Sequence, residues 1–345
     1  MKAKIVVTGG TGYIGSHTVV ELLNAGYEVV IIDNLSNSNI DVIDGIEKIT
    51  GIRPVFSETD CNDKEAVEKV ITDNPGIAGI IHFAASKAVG ESVEQPLKYY
   101  RNNIVSLLTL LELMPLYDID GLVFSSSCTV YGQPDMLPVT EIAPVRPAVS
   151  PYGNTKQINE EIIRDTIYAG APFKSVILRY FNPVGAHPSA EIGELPIGIP
   201  QNLVPFLTQT AAGIRKELSV FGDDYNTSDG SCIRDYIHVV DLAKAHVIAI
   251  DRMLENRSAS RLEIFNLGTG RGVSVLELIR TFEQTTGVSV PYKIVGRRDG
   301  DIEKVWADPA HANEGLGWQA LETLEDTLRS AWQWQQKLMR TKELS

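Results

Sequence analysis

A glycine-rich turn close to the start of the chain constrains the fold more than any other feature. The apolar run at residues 4–8 leads straight into Gly9-Gly-Thr-Gly12-Tyr-Ile-Gly15, which satisfies G-x-x-G-x-x-G and, counted from Gly10, G-x-G-x-x-G. Glycine permits the tight turn, lets main-chain amides approach a pyrophosphate, and lets the next helix sit close on a sheet. Phosphates would face the N-terminus of that helix, predicted over 13–25, where free amides and the dipole favour anions. A bare glycine pattern is often only a turn. Its place after a strand and ahead of an amphipathic helix makes this one a dinucleotide loop.

The alternation continues downstream. Runs rich in Val and Ile predict strands at 4–8, 28–33, 53–56, 77–83, 121–125 and 175–180, with helices at 39–50, 63–74, 96–114 and 151–168 between them. Such strands, joined by helices, imply a parallel sheet covered on both faces. Right-handed crossovers leave a doubly wound, Rossmann-type α/β fold as the economical topology. After Tyr180 the texture changes. Residues 182–205 are rich in Pro and Gly and read as loops over a site. Helices are expected at 203–213, 239–254, 273–286 and 321–336, and strands at 218–221 and 264–267. The expected division is a dinucleotide-binding Rossmann domain over 1–181 and a smaller, loop-rich α/β substrate lobe over 182–345 that returns some elements to the first.

Composition excludes several partners. The chain has 345 residues, 43% hydrophobic and 22% charged, an ordinary globular balance, and its net charge of −13 argues against a nucleic-acid backbone or an anionic membrane. No apolar run approaches the roughly 20 residues needed to span a bilayer. Cys61, Cys128 and Cys232 form no C-x-x-C, and the six histidines form no ligand spacing, so no metal is expected. Free thiols and a start that runs directly into a strand pattern, without a cleavable leader, make the cytoplasm the expected location.

The residues that carry chemistry gather where strands end. Asp33 closes the second strand, 18 residues after Gly15. There a carboxylate accepts hydrogen bonds from ribose hydroxyls and repels a 2′-phosphate, which favours NAD over NADP; it also suits a cap in the Asp33-Asn-Leu-Ser36 turn. Asp60 follows the third strand. Ser127 ends the Phe124-Ser-Ser-Ser127 run, at the carboxyl edge where ligands of doubly wound sheets gather; no G-x-S-x-G elbow surrounds it, which disfavours a hydrolase. Ser150-Pro-Tyr-Gly-Asn-Thr-Lys156 then sets Tyr152 and Lys156 on one helix face, with Ser150 as N-cap and Pro151 in the first turn. An ammonium beside a tyrosine favours the phenolate, and a cationic cofactor nearby favours it further. In the second lobe, Arg234, Arg298 and the Arg297–Asp301 segment offer guanidinium forks suited to phosphate oxygens.

These motifs together resemble the UDP-glucose 4-epimerases among the extended short-chain dehydrogenases/reductases. The resemblance rests on Thr8-Gly-Gly-Thr-Gly-Tyr-Ile-Gly-Ser-His17, Lys87-Ala-Val-Gly-Glu-Ser92, Phe124–Ser127 with Thr129-Val-Tyr-Gly132, and Ser150-Pro-Tyr-Gly153. It continues through Leu178-Arg-Tyr-Phe-Asn-Pro-Val-Gly-Ala-His187, Arg234-Asp-Tyr-Ile-His238 and the Arg298–Asp301 segment. It implies an NAD held through turnover, with Tyr152 as the base at C4, Lys156 on the nicotinamide ribose and lowering the tyrosine pKa, and Ser127 bridging to the reacting hydroxyl. Cofactor contacts would fall on the glycine loop at Gly9, Gly12, Tyr13, Ile14 and Gly15, and on the turn of Asp33, Asn34, Leu35, Ser36, Asn37 and Ser38. Others would fall on Asp60, Cys61, Phe83, Ala84, Ala85, Lys87, Asn102 and Phe181, beside Ser127, Tyr152 and Lys156. Nucleotide-sugar contacts would fall on Asn182, Asn202, Leu203, Ser219, Val220, Phe221, Arg234, Arg298, Asp301 and Val305, again with Ser127 and Tyr152. The resemblance also implies a homodimer built on the helices at 96–114 and 151–168.

The chain departs from the family pattern at Ser86, where leucine is usual, at Cys128, where alanine is common, and at Asn226, where proline often follows the tyrosine. By the resemblance, Val305 stands at the position that gates the sugar pocket in this family. A small residue there is associated with room for a 2-acetamido group, so turnover of UDP-GlcNAc and UDP-GalNAc is expected beside UDP-glucose and UDP-galactose. A sugar-nucleotide 4,6-dehydratase shares the fold, the cofactor and the Tyr–Lys pair, but needs acid–base carboxylates where Cys128-Thr-Val130 follows Ser127. Another sugar-nucleotide oxidoreductase or alcohol dehydrogenase would release NADH, and a non-catalytic NAD-binding protein has little use for Ser127, Tyr152 and Lys156 together.

Overall fold

The computed structural model describes residues 2–298 and 300–343. Its first half runs β1 (Lys4–Thr8), α1 (Tyr13–Asn24), β2 (Glu28–Asp33), α2 (Val42–Thr50), β3 (Val55–Glu58), α3 (Lys64–Asp73) and β4 (Ile77–His82). There follow α4 (Val89–Glu94), α5 (Pro96–Leu113), β5 (Gly121–Ser127), α6 (Pro151–Tyr168) and β6 (Lys174–Tyr180). The second half holds β7 (Asn182–Val184), α7 (Leu203–Ala211), β8 (Leu218–Phe221), β9 (Ile233–Arg234), β10 (Tyr236–His238) and α8 (Val239–Leu254). It ends with β11 (Leu262–Leu267), β12 (Val273–Ser274), α9 (Val275–Thr286), β13 (Tyr292–Val295), α10 (Ala310–Gly315) and α11 (Leu324–Glu343).

A seven-stranded parallel sheet in the order β11-β6-β5-β4-β1-β2-β3 lies at the centre. Alternate residues of β1 show why both faces are covered. Ile5 and Val7 pack with Val19, Val20 and Leu22 of α1 and with Leu242 and Ile250 of α8. Val6 packs on the opposite side with Leu107 and Leu110 of α5 and Ile163 of α6. This is the doubly wound, Rossmann-type fold expected from the apolar strands. β11 comes from the second half of the chain and pairs with β6. A separate apolar cluster, including Val204, Leu207, Val220, Phe282 and Leu328, organises the second lobe around α7, α9 and α11.

Several boundaries differ from expectation for local reasons. β3 starts after Pro54, which has no N–H to give a ladder. Residues 39–41 form a turn, in which the Asn39 carboxamide accepts from Asp41 N–H at 2.9 Å, so α2 starts at Val42. Ser274 splits the helix expected at 273–286: its hydroxyl caps α9 by accepting from Glu277 N–H at 3.0 Å. β5 runs on to Ser127 and carries that serine to the sheet's carboxyl edge. The six-residue α4 was not anticipated.

Candidate active site

The glycine turn forms a cradle that side chains would fill. Gly9 has a φ of 69°, and a Cβ there would lie 2.8 Å from Ala84 N; a Cβ on Gly15 would lie 2.1 Å from the Gly9 carbonyl oxygen. Gly12 caps α1 without a side-chain hydrogen bond, leaving the first-turn amides available to an anion. Tyr13 follows, its hydroxyl donating to the Gly185 carbonyl at 2.7 Å, and Ile14 is partly buried against the core. Asp33 braces the cradle. Its carboxylate accepts from Thr11 N–H at 3.1 Å, Leu35 N–H at 3.0 Å and the Ser38 hydroxyl at 3.2 Å. A carboxylate has roughly four acceptor sites, so Asp33 caps its turn and keeps capacity for a ribose hydroxyl. Within that turn Leu35 adopts a φ of 55°, and Ser36 N–H donates to the Asn34 side chain at 3.1 Å; Asn37 lies between Ser36 and Ser38.

The neighbouring loops converge on the same edge. Asp60 accepts from Asn62 N–H at 2.9 Å, and Asn62 also donates to Asn102 at 3.0 Å. Cys61 is buried, which pushes its thiol up to about 12. Phe83, Ala84 and Ala85 carry β4 out of the sheet. Ser86, the departure from the family pattern, is held by Asn102 and Asn103 of α5: the Asn102 amide donates to its hydroxyl at 3.1 Å, and its own N–H donates to Asn103 at 2.8 Å. Phe181 is buried directly after β6.

Ser127, Tyr152 and Lys156 meet at the carboxyl ends of β5 and β6. Ser150 caps α6 by accepting Gly153 N–H at 3.1 Å, and Pro151 takes the first helical position. The Ser127 hydroxyl, which accepts from Thr129 N–H at 3.2 Å, lies beside the Tyr152 phenol and favours its ionised form. Lys156 is buried and donates to the Ser125 carbonyl at 2.7 Å; its ammonium lies 6.0 Å from the centre of the Tyr152 ring. Burial lowers the Lys156 pKa to about 8, with Glu160 opposing. Burial also pushes the Tyr152 phenol above its usual value, reinforced by Tyr180 and Cys128, while the Ser127 hydroxyl beside it pulls the other way. The protein's own groups therefore hold Tyr152 protonated.

The second lobe faces this edge. Asp301 joins two arginines, with Arg234 at 3.6 Å and Arg298 at 2.7 Å, and Arg298 lies 5.4 Å from the Phe221 ring centre. Asp299 of that segment lies outside the described residues. Phe221 is 40% exposed beside the buried Val220, which can offer a ligand only its main chain. Ser219 is half-buried on the same strand. Asn202 caps α7, where Leu203 begins, without a side-chain bond to the helix; its amide donates instead to Glu194 at 2.6 Å. Glu194 also lies 3.6 Å from Lys87, so it links a loop of each lobe. Asn182 N–H donates to the Asp235 carbonyl at 3.0 Å. Val305 is buried in a small cluster with Val130, Tyr131, Val139 and Phe181, against which Cys128 packs.

The roles of two groups at this site were not anticipated from the sequence. Glu194 is an acidic residue in an irregular loop, and the buried Glu160–Arg179 ion pair unites a helix and a strand distant from the glycine motif.

A Rossmann sheet with this serine, tyrosine and lysine at its carboxyl edge, and a second lobe facing them, defines the class of extended short-chain dehydrogenases/reductases. A family model described as GDP-mannose 4,6 dehydratase matches residues 6–331. A UDP-glucose 4-epimerase of Bacillus subtilis (strain 168) is 52% identical over 331 residues, 96% of each chain. The solved structure of the UDP-glucose 4-epimerase from Stenotrophomonas maltophila, with bound NAD and formylated UDP-arabinopyranose, matches with a TM-score of 0.95 and 48% identity, covering 99% of this chain and 100% of that one. The Bifidobacterium longum enzyme in complex with NAD+ and UDP matches with a TM-score of 0.92 and 46% identity, covering 97% and 98%. The chain belongs to the UDP-glucose 4-epimerase family. Cys128-Thr-Val130, in place of carboxylates after Ser127, disfavours the dehydratase chemistry.

Proposed function

We propose that this protein is an NAD-dependent epimerase that inverts C4 of UDP-hexoses, interconverting UDP-glucose and UDP-galactose through a 4-keto sugar. The observation that carries this reading is the meeting of Ser127, Tyr152 and Lys156 at the carboxyl edge of the sheet, with the buried Lys156 ammonium 6.0 Å from the Tyr152 ring centre. The Gly9–Gly15 cradle, which a single added Cβ would fill, and the spare acceptor on Asp33 fit NAD. Bound NAD would supply the hydride chemistry at C4, as an acceptor that gives the hydride back. Tyr152 takes the C4 hydroxyl proton and gives it back, with Ser127 bridging to the same oxygen. Burial alone keeps the phenol protonated, so the reading requires added positive charge beside it. Lys156 contributes part of that charge and orients the ribose next to it. Arg234 and Arg298 hold the diphosphate, Phe221 offers a ring for the base, and the anchored nucleotide lets the sugar turn between the two hydride transfers.

In this reading residues 1–181 carry the cofactor and 182–345 the nucleotide sugar, with β11 tying the two together. Val305 leaves room for an acetamido group, which extends the substrates to UDP-GlcNAc and UDP-GalNAc. The outward side of α5 carries Leu97 and Leu108, 81% and 38% exposed, which supports a homodimer through α5 and α6. No described helix is long and apolar enough to cross a membrane, and a cytoplasmic enzyme without nucleic-acid or membrane partners is the reading we adopt. Tyr152→Phe tests the base: it should retain NAD in a denatured extract and lose at least about 100-fold in kcat. A variant with near wild-type turnover removes Tyr152 from the mechanism.

A further inference from the structure

We propose that the buried Glu160–Arg179 pair sets the charge state of Lys156 from one helical turn away, so that Glu160 acts as a positioning residue for the reaction. Lys156 and Glu160 are four apart on α6 and share the face that packs on the sheet; both are buried, 4% and 3% exposed. The Glu160 carboxylate accepts from the Ser126 hydroxyl at 2.5 Å and from Arg179 Nε at 2.9 Å, with Arg179 Nη2 completing the fork. Arg179 is in turn spent on the far side. Its Nη1 donates to the Tyr131 hydroxyl at 2.9 Å, and the guanidinium lies 5.0 Å from that ring's centre. Tyr131 passes the chain on to Asn266 of β11 at 2.7 Å.

The surroundings of Lys156 make Glu160 the controlling anion. Tyr152 lies on the same helix, and Tyr180 of β6 is hydrogen-bonded to Ser125. His82 of β4 is tied to Thr8 at 2.7 Å and stays neutral down to pH about 3. Cys128 follows β5, its thiol pushed up to about 12 by burial. None of these brings a negative charge at neutral pH. Burial drives Lys156 toward the neutral amine and Glu160 opposes it, while Arg179 balances Glu160. The pair thus fixes how strong a cation Lys156 presents beside Tyr152.

A purely structural pair would only hold α6 to β6, and the two roles separate by sign. In protein labelled with 13Cε-lysine, the Lys156 resonance reports its titration without any turnover. Wild type should titrate near pH 8. Glu160→Gln removes the anion and should lower that midpoint by about one unit, a tenfold change in proton affinity. Arg179→Gln frees the anion and should raise the midpoint by a similar amount. Glu160→Asp, which keeps the charge but draws it back, should give a smaller downward shift and serves if Glu160→Gln does not fold. Midpoints that stay fixed, or that move in the same direction in the Glu160 and Arg179 variants, overturn the proposal. Its catalytic consequence rests on the epimerase reading: an inactive wild type would sink that reading and leave the titration result standing.

Discussion

In the proposed reading, Val305 selects the substrate without touching the reacting atoms. It is 2% exposed and packs in the cluster that includes Cys128, the residue after Ser127. Val305→Tyr puts a large ring where the proposed reading leaves room for the acetamido group. The expected result is selective: turnover of UDP-GalNAc is lost while UDP-galactose is still converted. Equal loss on both substrates, measured as kcat/KM for each, counts against a gate. At this scale the sequence was legible where chemistry demands a residue type at a fixed spacing. Ser150 and Pro151 announced the helix that carries Tyr152 and Lys156, and the end of a strand announced Asp33. Glu194 and Arg179 were illegible, because their roles depend on contacts made across the fold, with Lys87 and Asn202 in one case and Glu160 in the other.

Among elements, the β1–α1 turn tolerates little change. A Cβ on Gly15 would meet the Gly9 carbonyl oxygen at 2.1 Å, a main-chain atom that cannot swing aside, whereas one on Gly90 of α4 meets nothing within 4 Å. Gly15→Ala should therefore empty the protein of NAD and lower stability by about 1–3 kcal/mol. Gly90→Ala should leave NAD intact and change stability by no more than about 1 kcal/mol, in the favourable direction for a helical site. NAD released on denaturation and the urea midpoint check both; a Gly15→Ala protein that still carries NAD contradicts the cradle. The main strands and helices could be read from apolar runs because burial on both faces leaves few polar interruptions. The short β7, β9, β10 and β12 could not. Each is two or three residues long and is fixed by a partner distant in sequence, as Asn182 in β7 is by Tyr236 in β10.

For the molecule as a whole, buried histidines link stability to pH. Burial lowers His17 and His82 to about 3 and His238 and His246 to about 4. Unfolded, each takes up a proton near pH 6.5. Below that value the unfolded chain binds more protons than the folded one, so stability falls with pH until the folded values are reached. The loss is at most about 1.4 kcal/mol per histidine per pH unit. The urea midpoint should accordingly fall between pH 7 and pH 5, and a midpoint that holds or rises over that range contradicts the prediction. The change of texture after Tyr180 precedes the separate apolar cluster of α7, α9 and α11. The return of β11 to the sheet was expected only in outline, since an apolar run does not reveal which neighbour it pairs with.

The most direct test of the account is to incubate purified protein with UDP-galactose, without added NAD, and to resolve the products. UDP-glucose should form at the expense of UDP-galactose, with no net NADH released. Failure to form the C4 epimer, when NAD is present in the denatured extract of the same preparation, would contradict it.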